Sequence, residues 1–170
     1  MLIKCTILLG FNFYRFLPTK LSDYLCISLT ITHTMKPNTQ QLNDFTIQVR
    51  RDILRMVHAV NSGHPGGSLG CAEFIVALYQ SIMNRKDTFD MDGIGEDLFF
   101  LSNGHISPVF YSVLARSGYF PVAELATFRK INSRLQGHPT THDNLPGVRM
   151  ASGSLGQGLS VGIGAALAKK

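Results

Sequence analysis

Asp97-Leu98-Phe99-Phe100-Leu101-Ser102-Asn103-Gly104-His105 is a short apolar run set between turn signals. Four consecutive large hydrophobic residues without polar alternation predict a strand buried on both faces. Such a strand delivers His105 at its carboxyl end. Working outward, the flanking segments read as helices. Asn43 or Asp44 can cap a helix with Phe45, Ile47, Ile53, Leu54 and Val57 on its apolar face, ended by Asn61 to Gly63. A second helix is predicted from about Ser68, as cap, to Met83. Pro108 suits the first turn of a third, which Gly118 stops. Pro121 opens a fourth, with Arg129 and Lys130 in its last turn. Thr140 to Gly147 reads as a polar loop, and Gly158 to Lys170 as a helix whose small residues allow close packing. Helices alternating with short buried strands predict an α/β layered domain with a parallel sheet. Ligands of such sheets bind beyond the carboxyl ends of the strands, where His105 is placed.

The chain has 170 residues, 45% hydrophobic and 16% charged, which is enough for one core. Its formal charge of +5 comes without a basic run interleaved with aromatics, so the composition points away from nucleic acid and suits a small anionic ligand equally well. Cys5, Cys26 and Cys71 cannot all pair within the chain and lack zinc or redox spacing, so a reducing cytoplasm is expected, with Cys71 a small buried thiol. Residues 1–34 differ from the rest. They are rich in Leu, Ile, Phe and Tyr, are interrupted by Gly10 and Asn12, and are too broken to span a membrane. A start of translation at Met35 is expected, which makes 1–34 a doubtful leader; a degenerate signal or anchor is the rival reading.

Three Gly-His pairs and one glycine-rich loop carry the chemistry: Ser62-Gly63-His64-Pro65-Gly66-Gly67, Ser102-Asn103-Gly104-His105, Gly137-His138-Pro139 and Gly153-Ser154-Leu155-Gly156-Gln157-Gly158. A glycine before the histidine permits positive φ and leaves the ring clear of neighbouring Cβ atoms. Taken singly, each is more simply a hydrogen-bonded turn. His64, His105 and His138 together could form a metal site, yet they lack short ligand pairing; hydrogen bonding to hydroxyl, carbonyl or phosphate oxygens is the better use of such rings. Gly153 to Gly158 could cradle a phosphate at a helix start or simply allow close packing. Asp92-Gly93 and Glu96-Asp97 most simply make a solvated loop. His33, His58 and His142 receive no role.

The motifs, in this order together with Asn61-Ser62-Gly63-His64-Pro65-Gly66 and Leu145-Pro146-Gly147-Val148, resemble the amino-terminal, diphosphate-binding part of the transketolase family over about Asp44 to Lys170. The resemblance implies a thiamine diphosphate-binding fold, a parallel sheet flanked by helices and incomplete at its C-terminal end, with 35–170 the first part of the domain. It implies ketol transfer between sugar phosphates in the pentose phosphate pathway. His64 is similar to the histidine near the reacting carbon of the substrate, and His138 to the one that bonds the donor's terminal hydroxyl; both are the catalytic and substrate-binding candidates. His105 resembles the histidine beside the cofactor, and Gly153, Ser154 and Leu155 match the segment meeting its aminopyrimidine and central region. Family members hold Mg²⁺ or Ca²⁺ through a Gly-Asp-Gly motif and a later Asn, neither found before Lys170, so no metal ligand is assigned. The implied partners are a pyrimidine-binding transketolase domain or subunit in a dimeric assembly, with no nucleic acid and no membrane. The isolated chain is expected neither to bind the cofactor with Mg²⁺ tightly nor to transfer ketol groups. The alternative is an inactive remnant or assembly module of the same fold. Dihydroxyacetone synthase shares much of the pattern, while deoxyxylulose-phosphate synthase fits the Gly-His-Pro segments less well.

Overall fold

The computed structural model describes residues 6–7, 36–86 and 88–169. The expectations about the leader, Cys5, Cys26 and His33 lie outside the described residues, apart from Thr6–Ile7.

The first helix, α1 (Thr39–Val60), starts four residues earlier than Asn43. Asn38 caps it: its Oδ1 accepts the Gln41 N–H at 2.9 Å, and Gln41 Oε1 accepts the Asn38 N–H at 2.8 Å. This reciprocal box satisfies two donors at once, so the polar Thr39-Gln40-Gln41 forms a first turn rather than a linker. Asn61, in the left-handed region at φ 48°, ends the helix. The buried stripe is Thr46, Val49, Asp52, Ile53 and Met56. Ile47 and Leu54, expected inside, are 45% and 53% exposed because they fall off that helical spacing.

The next helix begins at Pro65, not at Ser68. Proline at the first position costs no hydrogen bond, and α2 (Pro65–Gly70) buries Ser68 completely within it. After Cys71, α3 (Ala72–Ala77) runs into a π-type turn at Leu78–Ile82. The apolar run near Phe99 is the short strand β2 (Phe99–Phe100), with Leu98 to Ser102 all buried. Its parallel partner is β1 (Thr6–Ile7), Thr6 opposite Phe99 and Ile7 opposite Phe100. Among the described residues, sheet pairing is confined to these two strands.

A single 3₁₀ turn, Gly104–Ile106, passes the chain into α4 (Ser107–Arg116). Pro108 sits in the first turn of α4, and Gly118 follows its end with φ 91°. Every α4 residue from Ser107 to Ala115 is buried, so this helix is the axis of the core: Val109, Tyr111 and Leu114 belong to one buried cluster with Ile53, Ile75, Leu135, Leu145 and Val148. α1 crosses α4, and the buried Asp52 ties them by accepting from Arg116 Nε at 2.5 Å and from Ser112 Oγ at 2.8 Å.

After Pro121 the chain makes only a 3₁₀ segment, Val122–Thr127. Arg129 and Lys130 therefore stand beyond it, not in a last helical turn, and Arg129 takes φ 56°. Residues 128–156 form turns and loops up to α5 (Gln157–Ala168), which lies against β1 and β2. No helix among the described residues is long and apolar enough to cross a membrane.

Candidate active site

The three Gly-His pairs converge. The His64 and His105 ring centroids are 5.0 Å apart with planes at 79°, and those of His105 and His138 are 4.7 Å apart at 90°. Such edge-to-face contacts let the N–H edge of one imidazole meet the face of the next. His105 is the half-buried middle ring, while His64 and His138 are exposed on either side of it.

Each ring is fixed by its own element. His64 is the residue before α2, and His105 sits in the turn joining β2 to α4. The His138 loop hangs from α4: Ser107 Oγ donates to the Gly137 carbonyl at 2.7 Å, and the Tyr111 hydroxyl donates to the Gln136 carbonyl at 2.8 Å. The Ser152 N–H donates to the Pro139 carbonyl at 3.0 Å, which brings the 153–155 loop alongside. A Cβ on Gly153 would stand 3.4 Å from the His138 ring.

Only one of the three glycines has the positive φ the sequence suggested: Gly63 at 136°. Gly104 is required by close approach to backbone instead, while Gly137 faces the tip of the Arg129 side chain. A Cβ on Gly104 would lie 2.5 Å from the Ser152 carbonyl oxygen, and one on Gly137 would lie 2.7 Å from the Arg129 guanidinium.

The buried polar atoms His105 Nδ1, Ser102 Oγ, Ser152 Oγ and Ser68 Oγ have no hydrogen-bond partner. A buried polar atom left unpaired is costly, and three of these flank the corner where the 102–105 and 152–155 segments meet. The His138 imidazole is held below its ordinary pKa by partial burial first, with the neighbouring His105, Arg129 and His64 pushing the same way.

Among the described residues, no group of three or more His, Cys, Asp or Glu could hold a metal ion. Asp92 of the acidic turn is solvated as expected, but the Glu96-Asp97 part is not. Glu96 and Asp97 are buried: Glu96 accepts from Arg149 Nη2 at 2.5 Å and from the Lys86 N–H at 3.1 Å, and Asp97 accepts from the Asn84 N–H at 2.9 Å. Arg149, 52 or more residues away in sequence, gave no local signal for this pairing. Cys71 is half-buried rather than buried, and burial pushes its thiol pKa up. His142 is fully solvated, its side chain 94% exposed. The sequence reading also passed over Arg129, whose Nη1 donates to Ser62 Oγ at 2.6 Å. No local pattern marks a residue that acts through two distant loops.

The chain is similar to known proteins. Residues 43–170 match the family model described as transketolase, thiamine diphosphate binding domain. Curated relatives include transketolase 2 of Escherichia coli strain K12, 38% identical over 128 residues, covering 75% of this chain and 19% of the relative. Transketolase of Scheffersomyces stipitis is 44% identical over 115 residues, 66% of this chain and 16% of the relative. Among solved structures, the Pichia stipitis transketolase complex with sedoheptulose-7-phosphate aligns with a TM-score of 0.70 at 38% identity, over 75% of this chain and 19% of that one. Transketolase from Campylobacter jejuni subsp. jejuni NCTC 11168 aligns at 0.65 and 32% identity, over 73% of this chain and 19% of that one. The fold over residues 43–170 is thus that of a thiamine diphosphate binding domain. The chain belongs to the transketolase family. It spans about a fifth of the length of the curated relatives it matches.

Proposed function

We propose that this chain supplies the diphosphate-binding part of a cytoplasmic transketolase of the pentose phosphate pathway, transferring a two-carbon ketol unit between sugar phosphates. The observation that carries the reading is the perpendicular stack of His64, His105 and His138 beside the 153–155 loop. The finer fold on this reading is a parallel sheet flanked by helices, of which β1 and β2 are one pair, with 35–170 as the first part of the domain.

The residues present suit the cofactor's ring end. His105 Nδ1 and Ser152 Oγ are buried and unpartnered, and Ser154 and Leu155 are exposed beside them, so a polar heterocycle seated on Gly153, Ser154 and Leu155 would supply the missing bonds. When bound, thiamine diphosphate supplies the electron sink for breaking the ketose C–C bond. Mg²⁺ or Ca²⁺ is proposed as the counter-ion of the diphosphate, held by groups other than the described residues.

His64 and His138 do the substrate work on this reading. Both are exposed, His138 beside Gly153, and can donate to substrate oxygens. A neutral His138 can take up or give back a hydroxyl proton near neutral pH, and the depressed pKa favours that form. Hydrogen bonds to an oxygen that gains charge strengthen as the charge develops. A pyrimidine-binding domain or subunit in a dimer is the proposed partner. The exposed stripe Leu159, Ile163 and Leu167 supports a protein neighbour on α5.

A chimera tests the reading: residues 43–170 replace the matching segment of the Scheffersomyces stipitis enzyme. Ketol transfer is expected to persist. His64→Ala and His138→Ala should each raise the KM for the ketose donor about tenfold or more, and His105→Ala should weaken the cofactor by a similar factor, the scale of one lost hydrogen bond to a charged or polar group. Unchanged constants in all three variants would overturn it.

A further inference from the structure

The Arg129 guanidinium occupies a position that neither fold nor helix-end electrostatics explains. It lies in the loop after the Val122–Thr127 turn, yet its Nη1 reaches back to Ser62 Oγ at 2.6 Å, two residues before His64. Its other flank is pressed on Gly137, the residue before His138, closely enough that any Cβ there would sit 2.7 Å from its Cζ, Nε and Nη2. Its Cζ is 5.5 Å from the Phe128 ring centroid. Its Nε is buried without a partner, and none of the ion pairs among the described residues includes it. The backbone is held as well: the Arg129 N–H donates to the Leu135 carbonyl at 2.8 Å, and the residue keeps φ 56°, a conformation that side-chain-bearing residues adopt at a cost.

A positive charge with no carboxylate, a buried unpaired N–H and a strained backbone are three costs at one residue. What they secure is a rigid bridge between the two loops that carry the outer rings of the imidazole stack. We propose that Arg129 is the positioning residue of the site: it locks the His64 loop to the His138 loop and sets the spacing of the three rings. Its significance for catalysis rests on the reading of His64 and His138 as substrate contacts; the ring geometry does not.

The groups facing His138 are His105, His64 and Arg129, of which Arg129 alone is charged at every working pH. Its loss should therefore move His138 upward, and the choice of replacement separates charge from geometry. Lysine retains the charge but not the planar fork that reaches Ser62 while packing flat on Gly137.

The test is a histidine-labelled NMR titration of the full 170-residue chain with Arg129→Gln, Arg129→Lys and Ser62→Ala. In the parent, His138 should titrate below an ordinary histidine and carry a ring-current shift from His105. Arg129→Gln should raise the His138 midpoint and erase that shift. Arg129→Lys should leave the midpoint low but erase the shift. Ser62→Ala, which leaves every charge in place, should alter the His64 resonances alone. Core methyl signals of Leu114 report that each variant is folded, and should Arg129→Gln fail that control, the Ser62→Ala and Arg129→Lys spectra decide. A His138 midpoint and ring shift that stay at parental values in Arg129→Gln, or parental His64 resonances in Ser62→Ala, would overturn the proposal. Because nothing in the titration involves sugar or cofactor, its failure is distinct from a failure of the chimera.

Discussion

His138 carries a pH dependence whose sign is fixed by its surroundings. Its pKa is lowered from the ordinary 6.5 in the folded chain, by partial burial first and then by His105, Arg129 and His64. Below 6.5 the unfolded chain therefore binds the proton more readily than the folded one, so stability is complete above that pH and falls as pH drops from 6.5 through the folded value. Melting temperatures from pH 8 to pH 5 should show this decline, and His138→Gln should flatten part of it; identical profiles would refute the assignment. Glycines give a second contrast at this scale. At Gly104 an added Cβ meets the Ser152 backbone, which cannot swing aside, so Gly104→Ala should cost about 1–3 kcal/mol. At Gly164, inside α5, a Cβ meets nothing within 4 Å, so Gly164→Ala should stabilise by about 0.5–1 kcal/mol. Urea melts that give both changes the same sign would contradict the packing described.

Elements whose signals are local were readable from sequence, and those fixed by distant partners were not. Pro108 and Gly118 bracket α4 as their backbone preferences require, and Asn61 stops α1. The start of α1 was misplaced because Asn38 and Gln41 act only as a reciprocal pair, and Ile47 and Leu54 were placed inside because periodicity ranks residues by hydrophobicity while the crossing of α4 chooses the face. The converging histidines were legible because each follows a glycine. Arg129 and the buried Glu96 and Arg149 were not, since their partners lie 67 and 53 residues away. Two predictions belong to α1. Asn38→Ala removes the bond from the Gln41 N–H to the Asn38 side chain while leaving the Asn38 N–H free to donate to Gln41, and should cost about 1 kcal/mol, read as a loss of helicity at the first turn by hydrogen exchange. Asp52→Ala leaves the largely buried Arg116 guanidinium unpaired beneath α1 and should cost about 3 kcal/mol in a urea melt, whereas Asp52→Asn, which can still accept from Ser112, should cost less.

Over the whole molecule, packing is uneven. Around α4 the core is closed on all sides, from Ile53 and Ile75 to Leu135 and Leu145. Among the described residues, α5 is covered on one side: Gly158 and Gly162 are buried, with Gly158 tight against Ser102, while Leu159, Ile163 and Leu167 recur every four residues and are 37%, 49% and 68% exposed. At this spacing they make one continuous apolar stripe, larger than isolated surface leucines and of the kind that marks a contact between proteins. Curated relatives about five times as long have further chain available to cover such a face. The described residues leave this stripe open, and a second copy of the chain can bury it. Light scattering coupled to size exclusion should accordingly give a mass well above the 18.7 kDa monomer at tens of micromolar, independent of moderate salt because the contact is apolar. Ile163→Lys with Leu167→Lys should return the monomer without lowering the melting temperature, since neither side chain is buried. A monomeric parent under those conditions would show that the stripe is not a contact surface in this chain.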